Sequence, residues 1–288
     1  MSGQWTPSQR ALARAAYRRG RRRRSFLVAL ASTVVVAVLA FVVLVGSPGW
    51  DRAREAFFDP VEFVAVLPAV AQGLWLNLRV WVVAGVIAVV GGLALAVART
   101  TTAPALFPLR AVVTIYIDVF RGVPVLLVLL LVGFGLPALR LPWLPITATF
   151  LGTLAIVLTY TAYLAEIFRA GIESVHPSQV AAARALGLTR GQTTRRVVVP
   201  QAVRAVTPAL LNMIVALQKD SGLISILGAV DAIRAAEIAV SGSYNFTAYV
   251  VAGFLFLLIS VPLTRLVDAY NARRGGRGVG AAMVGAIR

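Results

Sequence analysis

The chain has 288 residues, of which 59% are hydrophobic and only 14% are charged. Soluble domains carry about a quarter charged residues, so this composition favours a protein embedded in lipid. The sequence contains no cysteine, which excludes a disulfide framework, a cysteine-ligated zinc site and a thiol nucleophile. The formal charge of +17 is compatible with binding to nucleic acid or to a membrane surface, and the distribution of the basic residues decides between them.

Six apolar runs of about 20 residues are candidate transmembrane helices. In chain order they are residues 26–45, 74–98, 111–136, 145–167, 203–227 and 246–267. No polar block between them is long enough to form a separate soluble domain. Alternating short strands are absent, so we expect an all-α membrane protein with six transmembrane helices.

The N-terminal tail, residues 1–25, is basic. Residues 23–27, RRSFL, resemble a twin-arginine export signal. The apolar run behind them is longer than a usual signal core and is followed by no clear cleavage site. We therefore expect an uncleaved first span, with a removed signal as the alternative. Residues 46–73 are predicted to be an extracytoplasmic connector with anchoring aromatics, or else an amphipathic stretch at the outer interface.

The arginines predict the orientation of the chain, because basic residues are enriched in cytoplasmic loops. With the N-terminus inside, the inner segments hold 21 arginines and the outer segments hold 4. We therefore expect both termini in the cytoplasm, including a basic C-terminal tail at residues 268–288. This asymmetry explains most of the net charge without nucleic acid.

The longest inner loop, residues 166–202, has the pattern of a helix, a sharp turn and a second helix. Pro177 suits the first turn of a helix, and strong helix formers follow it. Gly187 stands where a helix commonly ends in a left-handed residue. Thr189 and Gln192 then form a capping-box pattern that opens the second helix. By itself, this pattern fits either a docking element for a soluble partner or a solvated hairpin.

The spacing in this loop resembles a known family. Ala182-Ala183-x-x-x-Gly187, with Pro200 thirteen residues after the glycine, resembles the EAA loop of binding-protein-dependent ABC importer permeases. Flanking segments resemble the polar amino-acid branch of that family, whose members serve His, Glu, Gln, Arg and opines. These segments are residues 118–124 (DVFRGVP), 165–172 (AEIFRAGI), 199–202 (VPQA) and 217–223 (LQKDSGL). Several spaced elements in the right order are more specific than one motif.

The resemblance implies a type I importer fold with a five-helix core in residues 74–267 and one extra N-terminal span. It implies that two permease subunits pair, either as a homodimer or as a heterodimer. A cytoplasmic ATPase dimer would bind the loop, and an extracytoplasmic solute-binding protein would deliver the solute. ATP would be bound by the ATPase, so no cofactor is expected in this chain. The residues implied in coupling to the ATPase are Pro177, Ala181, Ala182, Ala183, Arg184, Gly187, Leu188 and Pro200.

Four positions depart from the family pattern. Ala181 replaces the leading glutamate of EAA, Val123 replaces a threonine, Val128 replaces a glutamine that is often found there, and Gly222 replaces a common serine. The loop spacing is unaffected, but the transfer of a substrate preference is put in doubt.

Ionisable and polar residues inside spans usually line a path or hold helices together. The candidates for the translocation path are Lys219, Asp220, Tyr163, Asn212 and Asn77, with interhelical hydrogen bonds as the alternative. A structural or gating role is predicted for Asp118, Arg121, Gly122 and Pro124. The two charged members of this second group are three residues apart and are expected to pair with each other.

No phosphate-binding loop, metal-ligand cluster or plausible catalytic set occurs in the sequence, so we expect a transport subunit and not an enzyme. We expect it to move a polar amino acid, or a similar small zwitterion, across the cytoplasmic membrane by alternating access. The alternatives are an ABC permease for another solute, such as a compatible solute or an opine, and an ion-coupled secondary transporter or channel. No convincing internal repeat supports the last of these.

Overall fold

The computed structural model describes residues 8–101 and 103–275. It divides into two compact units, Met1–Ala56 and Phe57–Arg288, which are described separately. The two predicted tails are covered only in part, because residues 1–7 and 276–288 lie outside the described residues.

The first unit contains α1, Gln9–Val45, and nearly all of α2, Trp50–Phe57. Helix α1 continues without a break from the basic tail into the predicted first span. The side chains of residues 26–45 are all exposed. A helix that is apolar on all sides is typical of a segment surrounded by lipid.

The second unit is helical throughout its regular structure in the described residues. Its α-helices are α3 (Pro60–Thr100), α4 (Phe107–Gly122), α5 (Val125–Ala138), α6 (Ala148–Glu173), α7 (Pro177–Ala185), α8 (Arg190–Thr193), α9 (Val199–Asp220), α10 (Ala232–Ser243) and α11 (Thr247–Gly275). A π turn, Thr194–Val198, joins α8 to α9, and 3-10 helices lie at Pro104–Leu106 and Ser221–Leu227. Across the described chain, five helical segments are long and apolar enough to cross a membrane, or six if α4 and α5 form one span. The predicted fold class is confirmed.

Helix α3 begins at Pro60 and not at residue 74, where the predicted second span begins. The carboxylate of Asp59 accepts hydrogen bonds from the backbone N–H groups of Val61 and Glu62, at 2.9 and 3.3 Å. This cap, followed by a proline in the first turn, starts a helix. The last part of the predicted connector is therefore helical and continuous with the span.

The predicted third span, residues 111–136, is two helices. Helix α4 ends at Gly122 and α5 begins at Val125, and the two are bent by 110°. Pro124 disfavours helical backbone in the residue before it, and Val123 accordingly has φ −95° and ψ 131°. The chain thus forms either a broken span or a re-entrant segment at this point.

Helix α6 is central in the second unit and packs against α3, α4, α5 and α9. Tyr160 and Leu164 of α6 lie in one core with Val80 and Ala88 of α3. A Cβ atom added at Gly92 of α3 would lie 2.8 Å from the Cβ of Leu164, so only a glycine allows the two helices to approach this closely. Small residues at such contacts are typical of packed membrane helices.

Candidate functional site

The loop between α6 and α9 has the predicted helix-turn-helix form. Its first helix, α7, begins at Pro177, and His176 is the residue before it. The His176 Nδ1 atom accepts a hydrogen bond from the backbone N–H of Ser178 at 3.2 Å. The only histidine of the chain thus caps a helix.

Helix α7 ends in a tightly bonded turn. Gly187 has φ +85°, a left-handed conformation that favours glycine. The Gly187 N–H donates to the Arg184 carbonyl at 3.0 Å, and the Leu188 N–H donates to the Ala183 carbonyl at 3.2 Å. These two bonds form the Schellman motif. The Arg184 guanidinium also donates to the Leu188 carbonyl at 2.6 Å. Backbone and side-chain hydrogen bonds therefore both stabilise the turn.

The second helix of the loop begins with the predicted capping box. The Thr189 Oγ1 atom accepts from the Gln192 N–H at 3.3 Å, and the Gln192 Oε1 atom accepts from the Thr189 N–H at 2.9 Å. The helix then runs through α8 and the π turn into α9, so Pro200 lies inside a continuous helical run and not at its end. The π turn directly before Pro200 accommodates a residue that lacks an N–H group.

One side of the loop is buried and the other is open. Ala183, Thr193 and Val198 are buried, whereas Ala181 and Ala182 are exposed. Leu186, at the tip, is 84% exposed. Leu186 could not be predicted from the sequence as the exposed tip, because a helix-forming pattern does not show which side of a short helix packs on the protein. The loop therefore presents an ordered surface with an apolar tip.

A cluster of charges centred on Glu166 lies directly before the loop. The Glu166 carboxylate contacts Arg99 of α3 at 3.0 Å, Arg121 of α4 at 3.4 Å and Arg169 of α6. Arg99 is also 3.8 Å from Asp118 of α4. The cluster therefore ties together the ends of three helices. The pairing of Glu166 with Arg99 could not be predicted from the sequence, since no local pattern connects these two residues.

The expected pair between Asp118 and Arg121 was wrong. Each side chain pairs with a residue distant in sequence, Asp118 with Arg99 and Arg121 with Glu166. The structural role predicted for these two residues is consistent with this arrangement. Gly122 and Pro124 flank the break between α4 and α5, next to the cluster.

Asn77 forms a buried polar clamp and is only 1% exposed. Its amide nitrogen donates to the Ser221 carbonyl at 3.0 Å and to the Asp231 carboxylate at 2.8 Å. Its amide oxygen accepts from the Ala232 N–H at 3.1 Å. These bonds join α3 to the end of α9 and to the start of α10. Asn77 thus forms the interhelical hydrogen bonds that were the alternative to a place on the translocation path. In this conformation its amide is not available to a solute.

Asp231 is the second buried member of the clamp. Burial raises the pKa of its carboxyl above the usual range, although hydrogen bonds from the Arg234 backbone and from Asn77 act in the opposite direction. The backbone of α3 comes very close to Asp231, since a Cβ atom added at Gly73 would lie 2.4 Å from its carbonyl carbon. Neither residue was singled out from the sequence.

Two of the path candidates lie near each other beside the core. The Tyr160 hydroxyl donates to the Asp220 carboxylate at 2.8 Å. The Tyr163 ring packs edge-on against the Tyr160 ring, with 5.8 Å between the ring centroids. Asp220 and Tyr163 are both half-buried, so they form a polar cluster between α6 and α9.

Lys219 and Asn212, the remaining path candidates, are exposed on α9. Lys219 lines a groove of about 760 Å³ between the end of α9 and helix α11, together with Ser260, Thr264 and Asp268. Asn212 lies outside this groove. The five candidates therefore do not form one continuous path within a single chain.

A family model described as the binding-protein-dependent transport system inner membrane component matches residues 88–276. The chain belongs to this family. The matched residues include the Glu166 cluster, the helix-turn-helix loop and the Lys219 groove, but neither α1 nor Asn77. The protein is thus an inner-membrane permease with several spans.

Relatives of this permease are named for amino-acid transport. The arginine transport system permease protein ArtQ of Bacillus subtilis is 32% identical over 208 residues, which are 72% of this chain and 93% of ArtQ. The glutamate/aspartate import permease protein GltK of Escherichia coli is 34% identical over 224 residues, 75% of this chain and 98% of GltK.

A solved structure has the same fold. It is the crystal structure of an amino acid ABC transporter with histidines, which is 32% identical, with a TM-score of 0.66, and covers 75% of this chain and 98% of that chain. The resemblance inferred from the loop and its flanking segments is confirmed. The permease has the type I importer fold, with α1 as an additional N-terminal span.

Asn77→Ala is expected to lower the free energy of unfolding by about 1–3 kcal/mol, because it leaves buried partners without a hydrogen bond. The melting temperature of the detergent-solubilised permease measures this effect. Asn212→Ala, the same change at an exposed position, is expected to shift stability by less than about 0.5 kcal/mol. Equal melting temperatures for the two variants would contradict the clamp.

Proposed function

We propose that this permease imports a polar amino acid, or a similar small zwitterion, by alternating access driven by a separate ATPase. The names of the relatives support the solute class, since they refer to arginine, to glutamate and aspartate, and to glutamine. The membership of the binding-protein-dependent family supports an importer that receives its solute from an extracytoplasmic binding protein.

The observation that carries this proposal is the capped, exposed loop between α6 and α9. A loop that only connected two spans would need neither a Schellman turn nor a reciprocal capping box. Here Gly187 and the pair Thr189 and Gln192 fix the angle between two helices. The Ala181 and Ala182 side chains are exposed on the first of these helices, and the Leu186 side chain is exposed directly after it. Such a surface suits docking into a groove on an ATPase, as the amphipathic helices of other complexes dock.

In the proposed assembly, partner subunits supply the ATP-binding site and the second half of the translocation path. ATP is bound by a cytoplasmic ATPase dimer, so the permease has no ATPase site and no cofactor of its own. A second permease subunit, identical or related, completes the path. Both termini lie in the cytoplasm, an orientation supported by the 21 arginines that it places inside against 4 outside.

The translocation path is proposed to run along the Lys219 groove and the polar cluster of Asp220 and Tyr163. An ammonium group on Lys219 suits a solute carboxylate, and the Asp220 carboxylate suits a solute amine. Because the groove is open on one side, the second subunit would close it. The Glu166 cluster, with Asp118 and Arg121, joins the ends of α3, α4 and α6 directly before the loop, and is proposed to have a structural or gating role.

The first alternative is an importer of the same mechanism for another solute, such as a compatible solute or an opine, and the departures at Val123 and Gly222 keep it open. The second alternative, an ion-coupled transporter or channel, leaves the ordered loop without a role.

Gly187→Ala is expected to weaken association with the ATPase about tenfold. A left-handed conformation costs a residue with a Cβ atom roughly 1–2 kcal/mol, so the free loop relaxes and must return to this turn in order to dock. Co-purification of the two subunits over a range of ATPase concentrations measures the effect. Gly191→Ala, in the same loop but at an ordinary φ and with nothing within 4 Å of the added carbon, is the control. Equal affinities for the two variants would refute the docking role.

Lys219→Gln is expected to lower the rate of solute uptake about tenfold, since hydrogen bonds to charged groups contribute about 1.5–3 kcal/mol. Uptake is measured in proteoliposomes that hold the complete transporter, with labelled amino acids offered as a panel. The melting temperature and the association with the ATPase should not change, because Lys219 is exposed. Lys219→Arg, which keeps the charge, should retain more uptake than the glutamine variant. Unimpaired uptake by Lys219→Gln would remove this residue from the path.

Uptake by the reconstituted complex is expected to require ATP and to continue when ionophores collapse the ion gradients. A proteoliposome loaded with ATP and treated with ionophores provides the measurement, and a liposome loaded with a non-hydrolysable ATP analogue provides the control. Uptake that stops with the gradients while ATP is maintained would favour the ion-coupled alternative.

A further inference from the structure

The transport function proposed above gives no role to the basic half of α1. Residues 1–50 contain eight arginines and no acidic residue. Helix α1 runs without a break through this segment and the apolar one, from Gln9 to Val45. The arginines at positions 10–24 therefore share one rigid axis with a candidate membrane span that begins at Arg24.

The length of α1 places part of its basic half at the level of lipid headgroups. The 20 residues from Phe26 to Val45 measure about 30 Å as a helix, which equals the hydrocarbon thickness of a bilayer. Arg24 and Ser25 then lie at the edge of the hydrocarbon. Arg21 lies about 5 Å further out, within the headgroup layer.

Five exposed or accessible side chains line a shallow groove along this part of α1: Tyr17, Arg21, Arg24, Ser25 and Val28. Their spacing of four, seven, eight and eleven residues places them on one face of the helix. Guanidinium groups bind phosphate oxygens through paired hydrogen bonds, and the two hydroxyl groups add further donors. In the described part of α1, Arg21 and Arg24 are in no ion pair.

We propose that the face of α1 from Tyr17 to Val28 binds the headgroup of an anionic phospholipid in the adjoining leaflet. The groove extends from the basic segment to Val28, which lies inside the apolar one. A phospholipid offers a phosphate to the arginines and acyl chains to Val28 at this depth, whereas a soluble polyanion reaches only the outer part. The bound lipid would neutralise charges for which this segment provides no acidic partner.

The test uses the full-length permease in nanodiscs that contain equal amounts of phosphatidylcholine and phosphatidylglycerol. Native mass spectrometry counts the lipids that stay bound after release from the disc. The wild type should retain phosphatidylglycerol above its share of the mixture. Arg21→Gln with Arg24→Gln should lower this preference about 25-fold, because each arginine near an anionic surface contributes about fivefold in binding. An unchanged preference in this double variant would overturn the proposal.

Arg195→Gln with Arg196→Gln is the matched control, since it removes two exposed arginines from the loop between α6 and α9. It should leave the lipid preference unchanged, and an equal loss would show a general charge effect and no site on α1. Inorganic phosphate or a short RNA added in excess should leave the lipid bound. Displacement of phosphatidylglycerol by either one would identify a soluble anion as the ligand and refute the lipid assignment.

Discussion

The amide group of Asn77 is the interaction on which the arrangement of the permease core depends. Its two N–H groups and its oxygen connect α3 to Ser221, at the end of α9, and to Asp231 and Ala232, at the start of α10. Asn77 and Asp231 are buried in the protein, so a group that lost its partner here would keep the full cost of its desolvation. Because α3 also packs closely on α6 at Gly92, one polar contact fixes where α9 ends relative to the central helix.

Structure that depends on neighbouring residues could be predicted from the sequence. The caps of the loop are of this kind, because Gly187, Thr189 and Gln192 act on backbone groups only a few residues away. The spans were found for the same reason, since an apolar run of sufficient length has few alternatives to a helix in lipid. The family resemblance followed from the same segments. The family and the loop form can therefore be predicted without the three-dimensional arrangement.

Structure that depends on distant residues could not be predicted. Asn77 and Asp231 are 154 positions apart, and Arg99 and Glu166 are 67 positions apart, so no spacing rule connects them. Arg121 had a suitable partner three residues away and pairs instead with Glu166, because the fold brings the ends of α4 and α6 together. Pro124 indicated a break in the third span but not an angle of 110°. The apolar run that predicts the second span begins at residue 74, whereas the helix begins at the Asp59 cap, so the start of α3 depends on the capping residue and not on hydropathy.

The unbroken helical run from Arg190 to Asp220 has a mechanical consequence. Its 31 residues measure about 46 Å along the axis. A tilt of the run by about 5° about one end would therefore displace the other end by about 4 Å. A stiff rod of this kind needs no chain of rearranging side chains between its ends. Its flexible points would be the π turn at Thr194–Val198 and Pro208, where regular helical bonding is interrupted. The displacement delivered to the far end would thus depend on the length of the run and on the bending at these two points.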